Sequence, residues 1–271
     1  MATRTQIEIN GKNISCLKSG TGEDVILFLH GNGMSAENWL PQLDDEELKK
    51  RYTLIAVDLP GHGKSDWAKG DKSWYHPRNI SQLIKPLLNK CNAKSYLLVG
   101  LSFGTNVIGE TAPPLDGCKG IMLVSTCIVN NDNLPSNIIT PGQYGHVIAS
   151  PNPTDEDLKA FVHEHMKNKK ISEQYIIDYR NADPAFREEL YKMMVESSWM
   201  DELANIKAWN LPVCIVFGKN DSLLNIHYLD NFTPVWNNKV YVIDNSGHFP
   251  NEEQSEIFNE LLSTYADQRF K

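Results

Sequence analysis

Six short apolar runs, Val25–Leu29, Leu54–Val57, Tyr96–Val99, Ile121–Val124, Val213–Phe217 and Val240–Ile243, limit the folds open to this chain more than any other feature. Each is too short for a helix and rich in valine, isoleucine and leucine. Such runs suit strands buried on both faces of a parallel sheet. Between most of them lie helical stretches: Asp44–Lys50, Ile80–Lys90, the residues after Ser102, and Glu252–Tyr265. Strands alternating with helices predict a doubly wound α/β sheet. Ahead of the first run, Ile7 and Ile9 alternate with polar residues, Asn10-Gly11 offers a tight turn, and Ile14 and Cys16 resume the alternation, which predicts an antiparallel hairpin.

The rhythm breaks once. From Asn130 to about Asn210 no buried-strand run occurs, and helix starts appear at Thr154 (followed by Asp155, Glu156 and Asp157), at Ser172-Glu173, and at Asp183-Pro184. The expected organisation is a core of residues 1–129 and 206–271, interrupted by a helical cap of residues 130–205. A chain of 271 residues, 41% hydrophobic, has the length and apolar content for one large domain carrying such an insertion.

Charge narrows the partners. The net charge is -8, and the longest basic cluster, Lys167, Lys169 and Lys170, is too small to reverse it, so neither nucleic acid nor an anionic membrane is an expected partner. No stretch reaches the roughly 18 to 20 apolar residues of a membrane helix. The opening residues Met1–Gln6 lack the apolar core of a signal peptide, so a cytoplasmic location is expected. The five cysteines form no C-x-x-C pair, and Cys16, Cys127 and Cys214 sit inside apolar runs; all five are expected to be reduced thiols.

Chemistry concentrates where strands end. Gly100-Leu101-Ser102-Phe103-Gly104 follows the run Tyr96–Val99 and precedes a helical stretch, which places Ser102 on a sharp strand-to-helix turn with glycines two residues before and after it. A serine hydroxyl needs a general base to become a nucleophile, and the base needs a third group to fix its tautomer. His248 follows the last strand run, and Asp221, in Gly218-Lys219-Asn220-Asp221, follows the one before it. All three candidates thus fall at the carboxyl edge of the sheet, in the order Ser, Asp, His. Asp244 and Asp132 are rival acids, ranked below Asp221. His30-Gly31-Asn32-Gly33 follows the first strand run, so the backbone N–H groups of Asn32 and Phe103 are the expected oxyanion donors. His30 itself reads as a buried structural residue.

These segments, with Asp58-Leu59-Pro60-Gly61-His62-Gly63-Lys64-Ser65-Asp66 and Asn245-Ser246-Gly247-His248-Phe249, resemble the α/β-hydrolase family across essentially the whole chain. The position of the insertion and the wording of several segments are most similar to N-acylhomoserine lactonases and small capped carboxylesterases. Meta-cleavage C–C hydrolases and cofactor-free perhydrolases are similar too. For the lactonases the resemblance implies a glutamate as triad acid and a tyrosine in the cap, where this chain has Asp221 and Phe161.

Two other motifs are set aside. Gly63-Lys64-Ser65 ends like a phosphate-binding loop, but the required glycine five residues before Gly63 is Asp58. His163-Glu164-His165 lacks the H-E-x-x-H spacing that puts two histidines on one helix face. The expected pocket residues are Gly31, Trp39 and Phe161, with a cap wall that adds Met166, Phe186, Met193 and Met194. The expected activity is hydrolysis of a small or medium carboxylic ester or lactone through an acyl-enzyme on Ser102, with no cofactor and no metal. A C–C hydrolase, a perhydrolase and a non-catalytic small-molecule receptor are the alternatives.

Overall fold

The computed structural model describes every residue except Pro114, Pro141 and Lys167, so one member of the small basic cluster lies outside the described residues. Eight strands form one sheet: β1 (Thr3–Ile9), β2 (Lys12–Ser19), β3 (Val25–Leu29), β4 (Thr53–Val57), β5 (Tyr96–Leu101), β6 (Cys118–Val124), β7 (Val213–Gly218) and β8 (Tyr241–Ile243). Their order is β1-β2-β4-β3-β5-β6-β7-β8. The first two strands pair antiparallel, with Ile9 opposite Lys12 across Asn10 and Gly11, both at positive φ. β2 pairs antiparallel with β4, and every later pairing is parallel.

The strands β3, β5 and β7 are buried along their whole length, because helices cover both faces of the sheet. Successive residues of β3 feed opposite cores: Leu27 and Leu29 pack with Ile84 and Val107, whereas Ile26 and Phe28 pack with Trp39 and Phe258. β8 departs from the expected two-sided burial. It is a three-residue edge strand with Val242 44% exposed, since no strand lies beyond it.

Helix boundaries follow the capping chemistry. Asp45 accepts hydrogen bonds from the N–H groups of Glu47 and Leu48 and starts the helix Glu46–Arg51. The stretches Ile80–Lys90 and Glu252–Tyr265 each resolve into two helices, Pro77–Ser81 with Ile84–Lys90, and Pro250–Glu253 with Ser255–Arg269. In the insertion, Thr154 caps Asp155–His165 and Asp183 caps Pro184–Glu196, as expected. The middle helix starts earlier than Ser172-Glu173: Asn168 accepts from the Lys170 and Ile171 N–H groups and caps Lys169–Asn181. Ser172 instead donates back to the Asn168 carbonyl at 2.9 Å.

The insertion returns to the core through the helix Glu202–Ala208, which packs on the helix Phe103–Gly109 and spans the expected boundary at residue 205/206. A bridge between Ile139 and Leu224 also pins it to the loop after β7. Among the described residues, no helix is long and apolar enough to cross a membrane. All five cysteines are free thiols.

Candidate active site

Ser102 sits where β5 turns into the helix Phe103–Gly109, with φ 49° and ψ -120°. A side chain at that positive φ is strained, and the surroundings hold it there. The Ser102 N–H donates to the Val124 carbonyl at 2.9 Å, extending the ladder to β6, while the N–H and the hydroxyl of Thr105 both donate to the Ser102 carbonyl. The flanking glycines are needed for close approach. A Cβ on Gly104 would lie 2.3 Å from the Leu29 carbonyl oxygen, and one on Gly100 would lie 2.7 Å from the Gly104 oxygen.

Asp221 and His248 come from the loops after β7 and β8, which touch: the Asn220 N–H donates to the Ser246 carbonyl at 2.8 Å. His248 Nδ1 lies 2.8 Å from Asp221 Oδ2, and the Asp221 side chain is fully buried. The other carboxylate oxygen, Oδ1, accepts from the N–H groups of Leu223 and Leu224 at 2.9 and 3.1 Å. With the carboxylate accepting from Nδ1–H, the lone pair remains on Nε2, the nitrogen a general base would use. The rival acids lie elsewhere. Asp244 pairs with Lys219 at 2.7 Å on the surface, and Asp132 is exposed. A carboxylate that the sequence reading passed over, Glu253, accepts from the Gly247 N–H and so fixes the backbone beside His248.

The loop after β3 carries Gly31 and Asn32. A Cβ on Gly31 would lie 3.2 Å from Ser102 Cβ, so this loop runs directly over the serine. His30 is fully buried beneath it: Nε2 accepts from the Leu59 N–H at 2.9 Å, which leaves Nδ1–H to donate to the Gly31 carbonyl at 2.8 Å. Burial lowers its pKa, so the ring is a neutral strut for the loop. The Asn32 side chain donates to the Ile148 carbonyl at 2.6 Å, tying the same loop to the insertion. Phe103 opens its helix, and the first N–H groups of a helix have no intrahelical acceptor.

Ser102 and His248 line one cavity of about 80 Å³, together with Gly31, Asn32, Phe103 and Phe161. Met166 and Met194 also line it, as expected, but three expected wall residues do not. Trp39 is fully buried against Phe28 and Phe258, at ring separations of 4.8 and 6.3 Å, because the short helical turn that carries it packs inward under the sheet. Phe186 packs on Phe103, His62 and Tyr75, and Met193 is buried in the same core. On the same helix Leu190 and Met194, one and two turns beyond Phe186, reach the cavity instead.

The sequence reading missed several lining residues. Tyr175 stands over the oxyanion loop, with its hydroxyl 3.2 Å from where a Gly33 Cβ would be, and stacks near Phe161 and Phe249. Leu223 and Leu224 adjoin Asp221 in sequence, which was the available signal. Cys127 and Asn106 form the wall beside Ser102, with the Cys127 thiol 3.0 Å from Asn106 Oδ1 and its pKa pushed up to about 12 by burial. Behind them the buried Glu202 accepts from Asn106 Nδ2 and the Val129 N–H, both at 2.8 Å. Burial raises its pKa well above the usual range. Among the described residues no group of three or more histidine, cysteine, aspartate or glutamate side chains is placed to hold a metal ion.

The profile of the alpha/beta hydrolase family matches residues 26–261, and the chain belongs to that family. The N-acyl homoserine lactonase AidH, solved in complex with N-hexanoyl homoserine lactone, superposes with a TM-score of 0.88 over 97% of both chains, at 20% identity. A thermophilic esterase from Thermogutta terrifontis superposes over the whole of both chains at 0.79 and 19% identity. Likeness at this level of identity establishes the fold. Among curated sequences, the monoacylglycerol lipase ABHD6 of Rattus norvegicus is 27% identical over 238 residues, 82% of this chain and 69% of that protein. Three others are matched over only about a quarter of their own length.

Proposed function

We propose that the protein is a serine hydrolase of uncharged carboxylic esters or lactones, with Ser102 as nucleophile, His248 as general base and Asp221 as the residue that orients it. The observation that carries this reading is the pairing of two features on one cavity: a serine at φ 49°, and a histidine whose Nδ1 is held by a buried carboxylate. In the proposed reaction His248 Nε2 takes the Ser102 proton as Oγ attacks the substrate carbonyl. The backbone N–H groups of Asn32 and Phe103 hold the oxygen that becomes negative. The tetrahedral adduct then expels the alkoxide, which receives the proton from His248, leaving an acyl group on Ser102. Water, deprotonated by the same histidine, attacks the acyl carbon and releases the acid.

The lining favours an apolar acyl group, since Phe161, Met166, Leu190, Leu223 and Leu224 all face the cavity. The likeness to a lactonase structure supports including lactones among the substrates. We assign residues 130–205 as the cap and the rest as the catalytic core. The test is labelling with a small fluorophosphonate, followed by a p-nitrophenyl ester panel with one acylhomoserine lactone. Wild type is expected to label at Ser102 and turn over uncharged esters, and Ser102→Ala to do neither while keeping its melting temperature. Turnover by Ser102→Ala within tenfold of wild type would refute the assignment.

A further inference from the structure

The apolar lining explains where an acyl group sits, but a long chain also needs somewhere to end. A surface groove of about 650 Å³ runs between the turn Gly145–Ala149 and the helix Pro184–Glu196, and it shares Ile148 and Met194 with the catalytic cavity. A second surface depression, reaching Leu134, shares these two and also Pro135 and Ile139 with the cavity. Ile148 and Met194 therefore line both the catalytic cavity and the groove at this wall.

The helix shows the crossing in its own sequence. Leu190 lines the cavity, Met194 one turn later lines both cavity and groove, and Tyr191 and Val195 line the groove alone. Tyr191 and Val195 are 60% and 65% exposed. Large apolar side chains presented together beside an opening mark a site for something apolar. The groove's carboxylate and imidazole are engaged elsewhere, Glu188 with Lys72 and His146 with Asp157. The two sides of the partition differ in freedom. The Ile148 carbonyl is held by Asn32, whereas Met194 is an unbranched side chain with three rotatable bonds.

We propose that Met194 and Ile148 form an acyl exit, and that the substrate is an ester of a long, uncharged acyl chain. Its carbonyl lies at Ser102, and its tail leaves between these two side chains to lie in the groove against Tyr191 and Val195. This rests on the serine-hydrolase reading above and adds the length and path of the acyl chain.

The experiment compares kcat/KM for monomeric p-nitrophenyl dodecanoate and p-nitrophenyl butyrate in wild type, Val195→Glu and Met194→Trp, with fluorophosphonate labelling of each preparation. Wild type is expected to favour the dodecanoate. Val195→Glu puts a charge on the exposed groove floor and Met194→Trp fills the exit, so each is expected to lower the dodecanoate-to-butyrate ratio about tenfold, the effect of losing roughly two buried methylenes. Val195 is exposed, so its substitution reports on the groove without disturbing the core. A wild type that favours butyrate, or a ratio within twofold of wild type in both variants, overturns the exit while labelling of Ser102 leaves the hydrolase reading standing. A wild type that fails to label overturns both.

Discussion

Asp178 offers a test of how the insertion is held over the site. It lies on the helix Lys169–Asn181, 8% exposed, where Oδ2 accepts from Ser35 Oγ at 2.9 Å and Oδ1 from Gln174 Nε2 at 3.0 Å. Ser35 belongs to the loop that also carries Asn32, so this contact joins the cap to the proposed oxyanion donor. Burial pushes the Asp178 carboxyl up from its ordinary 3.8 to about 6; the hydrogen bonds from Ser35 and Gln174 oppose the shift, and Glu37 and Asp58 add to it. Because the folded value lies above the unfolded one, the native state keeps a proton that the unfolded chain releases between those two pH values. The stability tied to that proton is complete below pH 3.8 and is lost as pH rises through about 6. At about 1.4 kcal/mol per pH unit, the charged form costs about 3 kcal/mol at pH 8. Asparagine keeps an acceptor for Gln174 and can donate to the Ser35 hydroxyl. Urea denaturation of Asp178→Asn is therefore expected to show a gain of about 2 to 3 kcal/mol over wild type at pH 8, shrinking to near zero at pH 4. A loss of stability that is equal at both pH values would show that the carboxylate is not the destabilised species, and the argument would fail.

Asp221→Asn is expected to lower kcat by about 10⁴-fold through the wrong imidazole tautomer, and Asp244→Asn to change it less than tenfold, as read by steady-state hydrolysis of one p-nitrophenyl ester. Glu202→Gln should unfold within about 1 kcal/mol of wild type in urea, since burial already keeps the acid neutral, whereas Glu202→Ala should cost about 2 to 4 kcal/mol by stranding the Val129 N–H and Asn106 Nδ2. Gly104→Ala should lose fluorophosphonate labelling or fold poorly in a thermal melt, because its new Cβ would meet the Leu29 carbonyl.

The parts of the molecule legible in the sequence are those fixed by local chemistry. Strand runs, the Asn10-Gly11 turn, the Thr154 and Asp183 caps and the elbow glycines each declare themselves within a few residues. β8 was misread because edge position depends on strand order, which its own apolar run does not encode. The Ser172 start was misread because Asn168, an equally good cap, lies one turn earlier. Pocket residues were the least legible. Trp39 is near the loop in sequence but is buried against Phe28 and Phe258, and Tyr175 comes from a helix more than a hundred residues from the Gly33 loop it overhangs. Where along its length a helix face meets a cavity is decided by tertiary packing, and Phe186 and Leu190, one turn apart on one face, differ in whether they reach the pocket accordingly.

The same packing bears on how a substrate would reach Ser102. The insertion is joined to loops bearing site residues by hydrogen bonds from several directions: Asn32 to the Ile148 carbonyl, Ser35 to Asp178, the Thr140 N–H to the Leu223 carbonyl at 2.7 Å, the Asn225 N–H to the Ile138 carbonyl at 2.8 Å, and Ser222 with His165 at 2.9 Å. Lifting the cap as a body would break these together, at a net cost of about 1 kcal/mol each, and would expose Phe161, Met166 and Tyr175 to water as well. Rotation of the Met194 side chain breaks none of them. Access through a side-chain opening in a fixed wall therefore costs less than access by a swinging lid, and under the proposed acyl exit chain-length selectivity would be decided at the Met194 and Ile148 partition.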